Sequence, residues 1–160
     1  MTGIELHPAL EPLAGLLGTW SGEGHGTYPT IQDFDYGEEV RFTHVGKPFL
    51  AYAQRTWSLA DRTPLHSETG YWRPQVDGRL EVVLAHPSGI IELEAGKVSG
   101  NRIELASTGV MTTPSAKEVT KLTRVFELDG DVLTYRLSMT AVGRPLTHHL
   151  SARLERDQSP

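Results

Sequence analysis

Two adjacent histidines near the end of the sequence, His148 and His149, are the strongest candidates for metal chemistry. Imidazole nitrogen is the commonest metal ligand among protein side chains. Neighbouring residues of a β-strand point to opposite faces, so only one of the pair can reach a shared interior. Alternation favours His148, which has the parity of the apolar residues Leu146, Leu150, Ala152 and Leu154.

A third histidine, His86, ends a run in which every second residue is apolar. Alternation places it on the same face as Leu80, Val82 and Leu84, so we expect it to point inward. A buried imidazole needs a hydrogen-bond partner or a ligand. Met139 is also expected to point inward, either as a pocket residue or as a filler of a core gap.

Other catalytic chemistry finds little support in the sequence. The absence of cysteine excludes thiolate nucleophiles, iron–sulfur clusters and cysteine zinc sites. Fingerprints of nucleophile elbows, P-loops and dinucleotide-binding turns are missing, as is the His-x-x-x-His spacing of a zinc helix. Glu92 and Glu94 share one face of their strand, which we expect to face solvent. The sequence therefore predicts no acid–base dyad.

Length and composition predict a single domain over residues 1–160. The net charge is −5 and no basic run is present, so we do not expect nucleic-acid binding. No apolar stretch approaches the ~18 residues of a membrane-spanning helix. The first twelve residues lack a positively charged segment, which predicts no signal peptide. We therefore expect a cytoplasmic location without membrane contact.

The order of the elements is read from periodicity and turn residues. Leucines at helical spacing predict one short helix from Pro8 to Leu17. Ten alternating runs then follow at 19–26, 37–45, 49–60, 66–73, 79–86, 89–97, 101–110, 116–128, 131–141 and 146–155. Glycine-containing turns, such as Asp77-Gly78 and Asp129-Gly130, separate them. Ten successive strands predict an all-β, antiparallel up-and-down barrel, with a sandwich as the alternative. Such a barrel can hold one small ligand.

A glycine-rich motif follows the helix directly. In Gly18-Thr19-Trp20-Ser21-Gly22-Glu23-Gly24, we expect Trp20 to close the base of the barrel, since lipocalin-like barrels carry a Gly-x-Trp at this place. The next segment, Tyr28-Pro29-Thr30-Ile31, contains a proline that ends strand pairing. We expect this segment to form a loop at the barrel mouth, where loop residues can touch a ligand.

Together these motifs resemble the nitrobindin family. The run GTWSGEGHGTYPTI is similar to the family's Gly-x-Trp-x-Gly-x-Gly followed by Tyr-Pro-Thr-Ile. Further matches keep their order and approximate spacing from residue 6 to about 155: YGEEVRF at 36–42, GKP at 46–48, AY at 51–52, TW at 56–57, HSETGYWRP at 66–74 and PLTHHL at 145–150. The resemblance implies a ten-stranded barrel, related in shape to fatty-acid-binding proteins, that holds haem b through one axial histidine.

The resemblance also implies a ligand and an activity. It favours His149 over His148 as the axial ligand and catalytic residue of one haem b per chain. A β-bulge would reconcile this choice with strand alternation, because one extra residue reverses the parity. The implied reaction is isomerisation of peroxynitrite to nitrate at ferric haem, and the iron would also bind nitric oxide. Family members suggest a homodimer.

Further pocket residues are implied by the same resemblance: Leu65, His66, His86 and Met139. Leu65 and His66 match a pair that flanks the open face of the haem. Thr30 and Lys117 are candidates to hold the propionates, since a lysine donates a charge-assisted hydrogen bond to a carboxylate.

Two other functions remain open at this point. An interior rich in Leu, Val and Met would serve a non-enzymatic carrier of a fatty acid or another apolar molecule equally well. A haem-based sensor of nitric oxide would bind the same cofactor without turnover.

Overall fold

Ten antiparallel strands form a closed barrel in the computed structural model, which describes residues 3–158. Each strand pairs with its neighbours in chain order, and the first strand closes the barrel by pairing with the last. The strands are β1 (Gly18–Gly26), β2 (Phe34–Thr43), β3 (Leu50–Ser58), β4 (Pro64–Pro74), β5 (Arg79–His86), β6 (Ile90–Ser99), β7 (Arg102–Thr112), β8 (Val119–Asp129), β9 (Val132–Ala141) and β10 (Thr147–Arg156). The predicted up-and-down barrel is confirmed, and the alternative sandwich is excluded.

The expected N-terminal helix is a 3₁₀ helix over Pro8–Leu16. Pro12 lies inside it, and a proline has no N–H with which to continue an α-helical ladder. The helix buries Leu10, Leu13 and Leu16 in the hydrophobic core of the barrel. It therefore covers one end of the barrel.

Trp20 closes the same end, as expected from the glycine-rich motif. Its side chain is fully buried, and its Nε1–H donates a hydrogen bond of 2.8 Å to the Leu16 carbonyl oxygen. The Arg156 guanidinium lies 4.2 Å from the centre of the indole ring. This cation–π contact ties the end of β10 to the start of β1. Side chains fill this end, which leaves the space for a ligand at the other end.

Strand alternation is confirmed for β5 and β9 but reversed for β6. In β6 the carboxylates of Glu92 and Glu94 are 0% and 2% exposed, whereas Ile91 and Leu93 are about half exposed. The expectation that these carboxylates face solvent is wrong. The physical reason is a buried guanidinium, that of Arg124 on β8, which bonds to both carboxylates inside the barrel.

Candidate functional site

A cavity of about 570 Å³ occupies the end of the barrel away from Trp20. This volume is in the range of pockets that bury a small organic ligand. Much of its wall is apolar and includes Leu65, Ile90, Val119, Leu122, Leu137 and Met139.

A β-bulge in β10, the last strand, turns the side chain of one histidine, His149, into this cavity. His148 pairs with Ser138 of β9 and Leu150 pairs with Leu137, so His149 is the extra residue between them. The bulge reverses the parity of β10. As a result, His149 lines the cavity while His148 is exposed. Simple alternation, which favoured His148, fails here for that reason.

The His149 imidazole is held in one orientation by the loop that follows β1. Its Nδ1 lies 3.0 Å from the carbonyl oxygen of Thr27, and the Thr27 N–H donates a 2.8 Å bond back to the His149 carbonyl oxygen. Since a carbonyl only accepts, Nδ1 carries the proton and Nε2 keeps its lone pair. Burial lowers the pKa of His149, against the opposing effect of the Thr27 bond. The ring is therefore neutral near pH 7.

Tyr28 fixes this loop and also packs against the histidine. The edge contact between the two rings has a centroid distance of 5.5 Å. The buried Tyr28 hydroxyl accepts a 3.1 Å bond from the Ala141 N–H and donates one of 3.2 Å to the Met139 carbonyl oxygen. The Tyr-Pro-Thr-Ile motif marked this segment, but sequence reasoning did not identify Tyr28 as the residue that anchors it.

Most of the other pocket residues expected from the sequence line the same cavity: Leu65, His66, His86, Lys117 and Met139. Lys117 is exposed, just before the start of β8, where the cavity meets solvent. Thr30 differs, because it is an exposed residue of the loop and does not belong to the cavity wall. The neighbouring Ile31 lines the cavity instead.

The interior also contains a buried charged network centred on Arg124, which the sequence did not reveal. Its guanidinium donates hydrogen bonds of 2.8 Å to Glu68, 2.5 Å to Glu92 and 3.1 Å to Glu94. Burial raises the pKa of Glu68, but Arg124, His66 and His86 together outweigh burial and hold that pKa well below its usual range. Burial raises the pKa of Glu94 well above its usual range, since Arg124 compensates only in part and Glu92 adds repulsion.

A fourth buried carboxylate, that of Glu38, accepts hydrogen bonds from neutral donors. The hydroxyl of Tyr135 donates a 2.6 Å bond to Glu38 Oε2, and Gln54 Nε2 donates a 3.4 Å bond to its Oε1. Burial raises the pKa of Glu38 to about 7, despite these hydrogen bonds. Tyr135 pairs with Ala152, which lies further along β10 than His149, on the side of the Trp20 end.

A buried histidine–carboxylate pair contradicts the expectation that no acid–base dyad exists. His86 Nε2 lies 2.7 Å from Glu92 Oε1, and both side chains are less than a tenth exposed. His86 points inward, as alternation predicted, and Glu92 is the hydrogen-bond partner that a buried imidazole requires. The dyad was missed because Glu92 was placed on the wrong face of β6.

These features fit a haem. Much of the cavity wall is apolar, which suits a flat macrocycle, and the His149 imidazole presents an Nε2 with a lone pair to it. A backbone carbonyl holds the other ring nitrogen, as is usual for metal-bound histidine. A lysine lies at the exposed edge, where propionates would meet solvent. Fold and site together define a class of β-barrel proteins with a cavity suited to a histidine-ligated haem.

Comparisons with known proteins agree with this class. The family model described as "THAP4-like, heme-binding beta-barrel domain" matches residues 9–156. The chain is 58% identical over 156 residues to peroxynitrite isomerase 2 of Mycobacterium ulcerans, covering 95% of this chain and 97% of that protein. It is 60% identical over 158 residues to peroxynitrite isomerase 1 of Mycolicibacterium paratuberculosis, covering 96% and 98%.

A solved structure is similar along almost the whole chain. The crystal structure of Rv2717c from M. tuberculosis superposes with a TM-score of 0.91 at 53% identity, covering 96% of this chain and 100% of that one. The chain therefore belongs to the family of THAP4-like haem-binding β-barrel domains, the nitrobindin family. Within residues 3–158, no helix has the length and apolar character needed to cross a membrane.

Proposed function

We propose that this chain binds one haem b through His149 Nε2 and isomerises peroxynitrite to nitrate. The observation that carries the proposal is the His149 side chain, which a bulge turns into an apolar cavity with one ring nitrogen bonded to Thr27 and the other free. Membership of a haem-binding family supports the cofactor. The names of the mycobacterial relatives support the reaction.

Ferric haem supplies a Lewis acid that accepts a small anion or nitric oxide. The chain supplies orientation and shielding. Thr27 fixes the tautomer of His149, and Tyr28 packs against its ring, so that Nε2 stays aimed into the cavity. The apolar part of the wall would exclude water from a bound anion.

The surrounding residues have narrower roles in this proposal. Lys117 at the rim would donate a charge-assisted hydrogen bond to a propionate. His86 and Met139 belong to the pocket wall, and Leu65 and His66 would flank the open face of the haem. A propionate contact of Thr30 stays a prediction, since Thr30 lies in the exposed loop next to Ile31.

Stopped-flow decay of peroxynitrite tests the proposed activity. Hemin-loaded wild type should accelerate the decay beyond free hemin and yield nitrate, because the cavity holds the reacting anion. The His149→Ala variant should lose this acceleration, while His148→Ala, which changes an exposed neighbour, should keep it. Equal decay with loaded wild type and with free hemin would remove the isomerase proposal. Nitric oxide binding in that case would favour the sensor.

The charged side chains inside the barrel argue against the alternative function, that of a fatty-acid carrier. A fatty-acid carboxylate inside the barrel needs an unpaired cation, but all three nitrogens of the Arg124 guanidinium bond to carboxylates. An incoming fatty acid would add a further negative charge to the buried acidic side chains Glu38, Glu68, Glu92 and Glu94.

The oligomeric state and the cellular location remain proposals. An apolar outer face formed by Tyr71, Val83, Ile91, Leu93 and Met111 supports a homodimer, which analytical ultracentrifugation would detect. A cytoplasmic location is a prediction that cell fractionation would test.

A further inference from the structure

Three side chains of types that ligate metals, two histidines and one glutamate, converge on the wall of the cavity at β4 and β5. His66 Nε2 lies 3.0 Å from His86 Nδ1 and 3.6 Å from Glu68 Oε2, and His86 Nδ1 lies 3.4 Å from the same oxygen. Glu68 and His86 are both less than a tenth exposed at the side chain, while His66 is 39% exposed. The three atoms thus form a compact triangle with one side toward solvent.

The register of two neighbouring strands explains this convergence. His66 and Glu68 are two residues apart on β4, so they point to the same face. In the pairing of β4 with β5, Thr69 faces Ala85, which brings His86 beside Glu68. The triangle is therefore a product of regular strand geometry where the start of β4 meets the end of β5.

The size of the triangle matches the coordination sphere of a small transition metal. Bonds of about 2.0–2.2 Å to nitrogen and carboxylate oxygen place the donors of a tetrahedral zinc ion about 3.3–3.5 Å apart. The observed separations of 3.0, 3.4 and 3.6 Å bracket this value. Two histidines and one glutamate form a known catalytic zinc ligand set, which keeps a fourth position open.

Glu92 prepares His86 for this role. A carboxylate only accepts, so the His86 Nε2–H donates the 2.7 Å bond to Glu92 Oε1. In the neutral ring this leaves a lone pair on Nδ1, which accepts the 3.0 Å hydrogen bond from His66 Nε2–H. A metal ion would take the place of that proton, and His66 would keep its one remaining proton on Nδ1. Carboxylate support of a ligating histidine is typical of metal sites. The second oxygen of Glu92 is buried without a hydrogen-bond partner among the described residues.

The charge of the interior also favours a cation. Among residues 3–158, the buried carboxylates of Glu68 and Glu92 both bond to the single buried guanidinium, that of Arg124. A divalent ion at the triangle would reduce the repulsion between these two carboxylates.

We propose that His66 Nε2, Glu68 Oε2 and His86 Nδ1 form a second metal site, separate from the haem ligand His149, which binds a divalent ion of the zinc class. Its fourth position opens to the same cavity. The site does not include His149, but it shares His66 and His86 with the cavity of the proposed haem site. Zinc binding is therefore tested on the haem-free chain, where its failure is distinguishable from a failure of the isomerase activity.

Zinc titration of the tag-free, haem-free full chain tests this site by isothermal calorimetry, with Co²⁺ absorption as a second readout. Wild type should bind one zinc, and Co²⁺ should develop the visible bands of a four-coordinate ion. His66→Ala should weaken zinc binding at least about 100-fold, because it removes a ligand. Since His66 is partly exposed, this variant should fold, which circular dichroism verifies.

Matched variants locate the ion. His148→Ala and His44→Ala, which remove histidines outside the triangle, should leave zinc affinity unchanged, and His149→Ala should retain zinc while it loses haem. Glu92→Gln should weaken zinc binding about 10–100-fold by removing carboxylate support of His86. A wild type that binds no zinc, or binds it no more tightly than His66→Ala does, overturns the site.

Discussion

The buried carboxyl group of Glu38 lowers the stability of the folded barrel when it ionises. It is 1% exposed, and its hydrogen bonds come from the neutral groups of Tyr135 and Gln54. Burial disfavours the ionised carboxylate, and Glu68 adds repulsion that Arg124 offsets in part, so the pKa rises to about 7. A carboxyl whose pKa is raised on folding stabilises the fold when protonated, and this contribution is lost as the pH rises toward the folded-state value.

We therefore expect Glu38→Gln to stabilise the haem-free chain more at pH 8 than at pH 5. Between about pH 4.5 and 7 the unfolded wild type ionises before the folded one, so wild type loses stability and the variant does not. The substitution should raise the free energy of unfolding by about 2–3 kcal/mol more at pH 8 than at pH 5. The uncharged amide of the variant retains an acceptor for Tyr135, and it can donate to Gln54 Oε1, which is buried without a partner among the described residues.

Urea denaturation of both proteins at the two pH values measures this difference. Other buried carboxylates, including Glu68 and Glu92, titrate in both proteins and cancel in the comparison. If Glu38→Gln changes the free energy of unfolding equally at pH 5 and pH 8, the pKa of Glu38 is the same in the folded and the unfolded chain, which contradicts the account.

At the scale of elements, periodicity predicted all ten strands and the inward faces of β5 and β9. It failed at two places, each with a physical cause. In β10 a bulge at His149 reverses the parity, and no local residue pattern marks a bulge. In β6 the partner of Glu92 and Glu94 lies on β8, 30 or more positions away, and only tertiary structure brings them together.

The loop after β1 is the element that secures the bulge, and Tyr28 is its anchor. Tyr28→Phe should lower the free energy of unfolding by about 1–3 kcal/mol, because the buried N–H of Ala141 loses its acceptor. Urea denaturation measures this change. Tyr71→Phe is the matched control, since the Tyr71 side chain is half exposed on the outer face. Equal effects of the two substitutions would count against the anchoring role.

The whole molecule divides into a filled end and an open end. The 3₁₀ helix, Trp20 and the aromatic rings of Phe42, Trp72 and Phe126 fill one end, with ring centroids 5.1 Å apart in successive edge contacts. The other end carries the cavity, the bulge at His149 and the exposed Lys117. Closure pairs every strand of the barrel on both sides, so the cavity mouth can carry polar and ligand-binding groups without loss of sheet pairing.

Hemin titration of the purified chain, followed at the Soret band, tests the central claim most directly. Wild type and His148→Ala should both saturate at one hemin per chain with the spectrum of a histidine-ligated haem. His149→Ala should lose that spectrum, because it removes the imidazole nitrogen that the bulge presents to the cavity. A Soret band that survives His149→Ala and disappears in His148→Ala would contradict the account.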